Sequence, residues 1–478
     1  MLFNSINFAI FLPIVFLLYW ALNNKKLRYQ NFLLLVASYF FYSCWDWRFL
    51  FLLVFSTLLD YFTGLKMFDA KTKTEKKIWF WLSIVINLGF LGVFKYYNFF
   101  ITSFAEFSTG IGLKFDPWTL KVILPIGISF YTFHGLSYVI DIYKDRIKPE
   151  RDFIDYSLFV SFFPLLVAGP IERATHLLPQ IQRKRTFQYK IAVDGLRQIL
   201  WGLFKKIVIA DQCAEHVNII FNNSHDYSGS TLLLGAILFA FQIYGDFSGY
   251  SDIALGTARL FGIELLRNFA YPYFSRDIAE FWRRWHISLS TWFRDYLYIP
   301  LGGSKGGTWI KVRNTFIIFL VSGFWHGANW TFLIWGFLNA LFIMPSIIFN
   351  TNRTNLVIVA AGKNFPTVKE LFSILLTFSL VVFAWIFFRS DNLTSAFEYI
   401  SGILDASLFS RPTVMPYGLF VFIFFMVFIE WIGREREFGI KNLGIYWYRP
   451  IRWLFYMALL ILILEYAGSE QQFIYFQF

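Results

Sequence analysis

An all-α, polytopic membrane protein is predicted by three observations. The 478-residue chain is 57% hydrophobic and 22% aromatic but only 15% charged, and its 62 phenylalanines exceed what one soluble core encloses. Many apolar stretches approach the roughly 20 residues that cross a bilayer as helix. The lysines and arginines behind the net charge of +12 fall between those stretches, where they read as topology signals and contacts for anionic lipid heads. That distribution argues against a nucleic-acid surface.

Candidate spans fall at 7–22, 31–45, 49–65, 79–97, 122–141, 192–211, 231–250, 314–349 as a pair, 370–388, 416–432 and 451–467. The first begins without a basic n-region and is followed by Lys25, Lys26 and Arg28, so it is expected to stay uncleaved with its N-terminus outside. The segments 23–30, 66–78, 144–152, 173–190, 259–285, 305–313 and 433–452 are basic and expected inside. The segments 98–121, 213–230 and 389–415 alternate with them as outside loops.

Residues 153–169 break the alternation, because both flanks are basic. Pro164, Gly169 and Pro170 interrupt a helix there, and a re-entrant segment is expected. In 276–300, arginines alternate with Phe281, Trp282, Trp285, Trp292 and Phe293, a composition that lies at an interface or dips into a protein-lined hollow. Two such segments imply a chamber reaching the cytoplasm. No repeat, linker or soluble domain is evident, so 1–478 reads as a single membrane domain with its core motifs in about 120–350.

His326 sits in the apolar stretch 316–349, within Ser322-Gly-Phe-Trp-His-Gly-Ala-Asn-Trp330. An ionisable ring at membrane depth is a functional-site hypothesis by default, and a neutral imidazole can accept a proton. Trp325 and Asn329 supply hydrogen-bond donors beside it, and Ser322 lies one turn earlier. His286 lies in Phe281-Trp-Arg-Arg-Trp-His-Ile-Ser-Leu-Ser290, where Arg283 and Arg284 can hold donor phosphates or belong to an interfacial belt. Asp246 and Asp252 are expected to pair with the arginines of 259–284; a carboxylate orienting a histidine is the alternative. His134 is a candidate chamber residue, while His176, His216 and His225 are expected to be solvated. Cys44 and Cys213 are expected to be packing residues.

The sequence has no Gly-x-Ser-x-Gly elbow, no His-Glu-x-x-His helix and no Walker A loop, and no histidines at metal-ligand spacing. No bound cofactor or metal is expected. A transporter or flippase is the rival class, but the inverted repeats and paired broken helices frequent in such proteins are not evident.

Taken in order, the 163–171, 244–252, 281–290 and 322–330 blocks closely resemble membrane-bound O-acyltransferases, most of all the bacterial alginate O-acetylation branch. The likeness spans roughly residues 1–390. It implies about 11 transmembrane helices with re-entrant or interfacial segments around a central tunnel. It also implies that His326 and His286 match the family's two conserved histidines, His326 being the catalytic one. At His134 the family often carries glutamine, which counts against a role there. Residues 390–478 match no motif of the family. The resemblance implies an acetyl-CoA or other acyl donor as substrate, and transfer toward an extracytoplasmic polysaccharide. A secreted partner of the SGNH esterase type and a bacterial inner-membrane location go with it. D-alanyl or other wall-polymer acylation is the alternative within the class.

Overall fold

The computed structural model describes residues 1–113, 115–120, 124–166, 169–468 and 471–474. All regular structure among them is helical. The chain forms two compact units, residues 1–192 with 258–266, and residues 193–257 with 267–478.

The first unit holds α1 (Ile6–Ala21), α2 (Leu27–Ser43), α3 (Trp47–Asp69), α4 (Lys73–Leu91), α5 (Tyr97–Gly110), α6 (Ile128–Tyr143), α7 (Phe153–Ser161), α8 (Phe163–Leu166) and α9 (Ala174–Gln182). Residues 153–166 are a broken helix, α7 and α8 meeting at Phe162, as the proline there requires. Val167 and Ala168 of the expected re-entrant segment, and the start of the 122–141 span, lie outside the described residues. The 98–121 segment was expected to be an outside loop; it instead opens with α5, joined to α4 by a π-helical turn.

Next along the chain come α10 (Tyr189–Leu203), α11 (Gln212–Asn222) and α12 (Gly229–Leu260). They are followed by α13 (Ile278–Arg284), α14 (Ile287–Phe293), α15 (Thr308–His326), α16 (Trp330–Ile348), α17 (Val368–Arg389), α18 (Leu393–Ile403), α19 (Tyr417–Gly433) and α20 (Arg449–Tyr466). The outside segments 213–230 and 389–415 likewise carry helices, α11 and α18. Both have one apolar face, which a charge-based topology rule does not read.

Among the described residues, five helices are long and apolar enough to cross a membrane: Trp47–Asp69, Lys73–Gly110, Gly229–Leu260, Trp330–Ile348 and Val368–Arg389. Ile6–Ala21, Phe153–Leu166 and Tyr417–Ile432 are shorter apolar helices. The expected span 192–211 contains charge, passing from α10 into a π-helical turn bearing Lys205 and Lys206. α15 begins before the expected 314–349 pair, with Lys311 and Arg313 near its start. Neither cysteine is paired. Cys213 is buried, consistent with a packing residue, whereas Cys44 is exposed just past the end of α2.

α15 and α16 cross with their backbones in contact. A Cβ on Gly323 would lie 2.2 Å from the Phe332 carbonyl oxygen, and one on Gly336 2.3 Å from that of Phe319. Backbone cannot step aside as a side chain can. Gly323→Ala should therefore cost about 1–3 kcal/mol, read as a lower unfolding midpoint in detergent; an unchanged midpoint would show that the two helices do not meet there.

Candidate active site

His326 is the last residue of α15, which ends because Gly327 turns to extended backbone. Its ring is 4% exposed and enclosed by aromatics: Trp325 at 4.9 Å, Trp335 of α16 at 5.1 Å and Phe388 of α17 at 5.4 Å between centroids. The T-shaped approaches of Trp335 and Phe388 fix the plane of the imidazole.

His286 arrives at the same cluster from another direction. The expected continuous 276–300 helix is two short ones, because His286 between α13 and α14 takes left-handed backbone (φ 44, ψ 55). That conformation costs roughly 1–2 kcal/mol for a non-glycine residue. Asn268 offsets it: its carbonyl accepts the Ile287 N–H at 2.9 Å, and its Oδ1 accepts the Ser288 hydroxyl at 2.9 Å. The same Oδ1 lies 3.0 Å from His286 Nδ1. An amide oxygen only accepts, so Nδ1 carries the proton and Nε2 keeps the lone pair. The Asn268 orientation is held in turn by Nδ2 donating to Ser251 Oγ at 3.2 Å. Burial pushes the His286 pKa down to about 3, so the ring is neutral at physiological pH. Phe247 meets it edge-on at 4.7 Å and Trp325 lies 6.1 Å away. The two histidines thus flank one indole, Trp325.

A cavity of about 580 Å³ opens beside this cluster, lined by Arg283, Arg294, Lys311 and Arg353 together with apolar residues such as Ile343 and Phe319. Phe319 packs against Trp282 at 5.3 Å, Trp282 against Trp335 at 5.6 Å, and Trp335 against His326. The wall of this cavity is therefore basic, and an indole pair stands between its Phe319 and His326.

The other candidate residues divide. Arg283 lines the cavity and donates to the Asn352 and Asn355 carbonyls at 2.7 and 3.0 Å. Its neighbour Arg284 is committed elsewhere: it pairs with Glu280 at 2.7 Å and donates to the Ala270 carbonyl, since one helical step rotates it by about 100° to a different face of α13. Asn329 serves as a helix cap. Its Oδ1 accepts the Thr331 N–H at the start of α16, and its Nδ2 donates to the Asp391 carbonyl at 2.7 Å, so the expected oxyanion donor is already used.

Asp246 and Asp252 do not pair with the arginines of 259–284. They lie in mid-helix, because α12 runs ten residues beyond the expected 231–250 span. Asp246 meets Lys206 at 2.8 Å, and Lys206 also meets Asp211 at 2.7 Å. Asp252 meets Lys205 at 2.6 Å, with Glu430 3.8 Å from the same ammonium. These lysines and Asn268 were missed by sequence reasoning. Two adjacent lysines inside an apolar stretch are themselves a signal of intramembrane charge; Asn268, in an irregular loop, carries none.

In the first unit, fully buried His134 accepts the Glu172 N–H on Nε2 at 3.1 Å, a packing role rather than a chamber one. His176, expected to be solvated, pairs with Glu172 at 2.8 Å and its pKa is raised by that carboxylate. His225 remains exposed, near Glu398.

A sequence model of the membrane-bound O-acyltransferase family matches residues 143–387, which include both histidines and every residue lining the basic cavity. The chain belongs to this family. It is 42% identical over 398 residues to a probable alginate O-acetylase of Pseudomonas putida, covering 82% of this chain and 78% of that one. The corresponding protein of Pseudomonas aeruginosa is 40% identical over 83% of this chain and 74% of its own. A peptidoglycan O-acetyltransferase of Helicobacter pylori is 37% identical over 84% and 80%. The protein is a membrane O-acyltransferase.

Proposed function

We propose that this O-acyltransferase takes an acetyl group from a phosphate-bearing cytoplasmic donor, acetyl-CoA or an acylated carrier, and passes it toward the hydroxyls of an extracytoplasmic polysaccharide. The basic 580 Å³ cavity carries the reading, because its Phe319 wall is separated from His326 by only two indoles. Arg283, Arg353 and Lys311 suit the phosphates, and the apolar wall at Phe319 suits the acyl arm. Relatives named for alginate and peptidoglycan O-acetylation support a polysaccharide acceptor. A bacterial inner membrane is the setting, and a secreted SGNH-type partner completes the transfer outside.

His326 acts as the general base. It accepts the acceptor's hydroxyl proton while that oxygen forms the new ester bond to the acyl carbon; the thioester C–S bond breaks, and the imidazolium returns the proton to the departing thiolate. A bound donor must turn the indoles of Trp282 and Trp335 aside to deliver its acyl carbon. His286, held in one tautomer by Asn268, presents Nε2 on the Trp325 side.

Purified protein and its secreted partner together, given acetyl-CoA and an oligosaccharide, should form ester without any ion gradient; a strict gradient requirement would favour a transporter. Arg283→Ala with Arg353→Ala should raise the donor KM and leave kcat nearly unchanged, and an unchanged KM would place the donor elsewhere. Asn268→Ala should lower kcat about tenfold, or about 1.4 kcal/mol of transition-state stabilisation, while Asn268→Asp, which keeps the acceptor oxygen, recovers most of it. Equal activity of all three proteins would make the Asn268 bond purely structural.

A further inference from the structure

The first unit contains a second cationic cavity, of about 350 Å³, none of whose residues lines the basic cavity beside His326. Arg183, Lys184, Arg185 and Arg259 bring four cations to it, against the Glu264 carboxylate. Gln180 and Glu264 close one side by exchanging two bonds of 2.9 Å through the Glu264 backbone. Arg183 and Lys184 are exposed, but Arg185 is 3% exposed.

Arg185 is the informative residue. Its Nη2 donates to Asn31 Oδ1, and its guanidinium lies 5.6 Å from the Tyr19 ring centroid. Asn31 stands between it and Asp155, donating to that carboxylate at 2.8 Å. Arg185 Nε and Nη1 are buried and meet no acceptor in hydrogen-bonding geometry among the described residues. They lie on different edges of the planar guanidinium, so an anionic oxygen at either edge takes a single charged N–H donor.

The surroundings say which phosphate. Ile6, Ile10, Ile14 and Leu17 follow helical spacing along α1 and are 78%, 57%, 52% and 67% exposed, an apolar stripe of the kind that faces acyl chains. The helix ends at Trp20, which lines the cavity, stacks edge-on with Phe187 at 5.3 Å and donates Nε1 to the Leu260 carbonyl. Tryptophan at the end of an apolar helix beside a basic loop marks the headgroup level of a bilayer. A soluble phosphate compound would have no use for the stripe.

We propose that this cavity binds the phosphate of an anionic glycerophospholipid, with Arg185 as its buried cationic donor, Arg183, Lys184 and Arg259 around the headgroup, and the acyl chains along the exposed face of α1.

The purified full chain, stripped of lipid in detergent, is to be titrated with phosphatidylglycerol, with phosphatidylcholine of the same chains, and with inorganic phosphate. Binding is read from the unfolding midpoint and from lipid retained in native mass spectrometry. Phosphatidylglycerol should raise the midpoint and remain bound, while the other two should do neither at matched concentration. Arg183→Gln with Lys184→Gln should weaken phosphatidylglycerol binding about tenfold or more without changing the lipid-free midpoint. Arg185→Gln should abolish it; because that side chain packs on Tyr19, the exposed double variant decides the matter if Arg185→Gln does not fold. Equal retention of phosphatidylcholine, or undiminished affinity in the double variant, would overturn the site. Protection by inorganic phosphate equal to that by phosphatidylglycerol would overturn the lipid as its source.

Discussion

His326→Gln is expected to lower acyl transfer by about 10²–10⁴-fold in protein that still inserts and unfolds at the wild-type midpoint. Glutamine fills much of the volume between Trp325, Trp335 and Phe388, so the aromatic enclosure keeps its packing. It has no lone pair basic enough to take the acceptor's proton. Donor binding should be little changed, because the proposed phosphate contacts, Arg283, Arg353 and Lys311, line the cavity and His326 does not. Ester formation at the wild-type rate would end the general-base assignment. A parallel loss of donor affinity would mean that the ring holds the cavity in shape rather than moving a proton.

The second large effect lies away from the proposed chemistry. Lys206→Met is expected to destabilise the protein by about 3–5 kcal/mol. The ammonium is 1% exposed and bridges Asp211 and Asp246, each 2% exposed. Asp246 Oδ2 also accepts the Ile474 N–H at 2.7 Å, so the loss should loosen the C-terminal segment as well. With the lysine gone, two carboxylates would face one another without a countercharge. Changing all three together, Lys206→Met with Asp211→Asn and Asp246→Asn, should recover much of the stability, because neutral replacement of a buried ionic cluster is often tolerated. Unfolding in denaturant of detergent-solubilised protein measures both. A single variant as stable as the parent would show that the cluster is not held by this charge. A stable triple variant without activity would move Asp246 back toward the chemistry.

The helical membrane architecture was legible because hydropathy needs no tertiary information: lipid demands apolar side chains and internally satisfied backbone along each crossing. The broken helix at 153–166 was legible for a similar reason, since Pro164 acts locally. His326 stood out because a titratable ring is conspicuous among apolar neighbours. Pairings were not legible. Arg283 and Arg284 are adjacent in sequence, yet one lines the basic cavity and the other is spent on Glu280, a division set by helical rotation and by what packs on each side. Asp246 has arginines following it in sequence but meets Lys206, because α12 does not stop where its apolar stretch does.

From composition and periodicity alone come the class of protein, the basic loops, and the histidine at membrane depth; each follows from single side chains meeting lipid or water. Only the folded chain sets His286 beside Trp325 and fixes its tautomer through Asn268. Only it turns Asn329 into a helix cap and gathers Arg283, Lys311 and Arg353 around one cavity. Those outcomes depend on the distance and direction between residues far apart in the chain, which helix crossing decides.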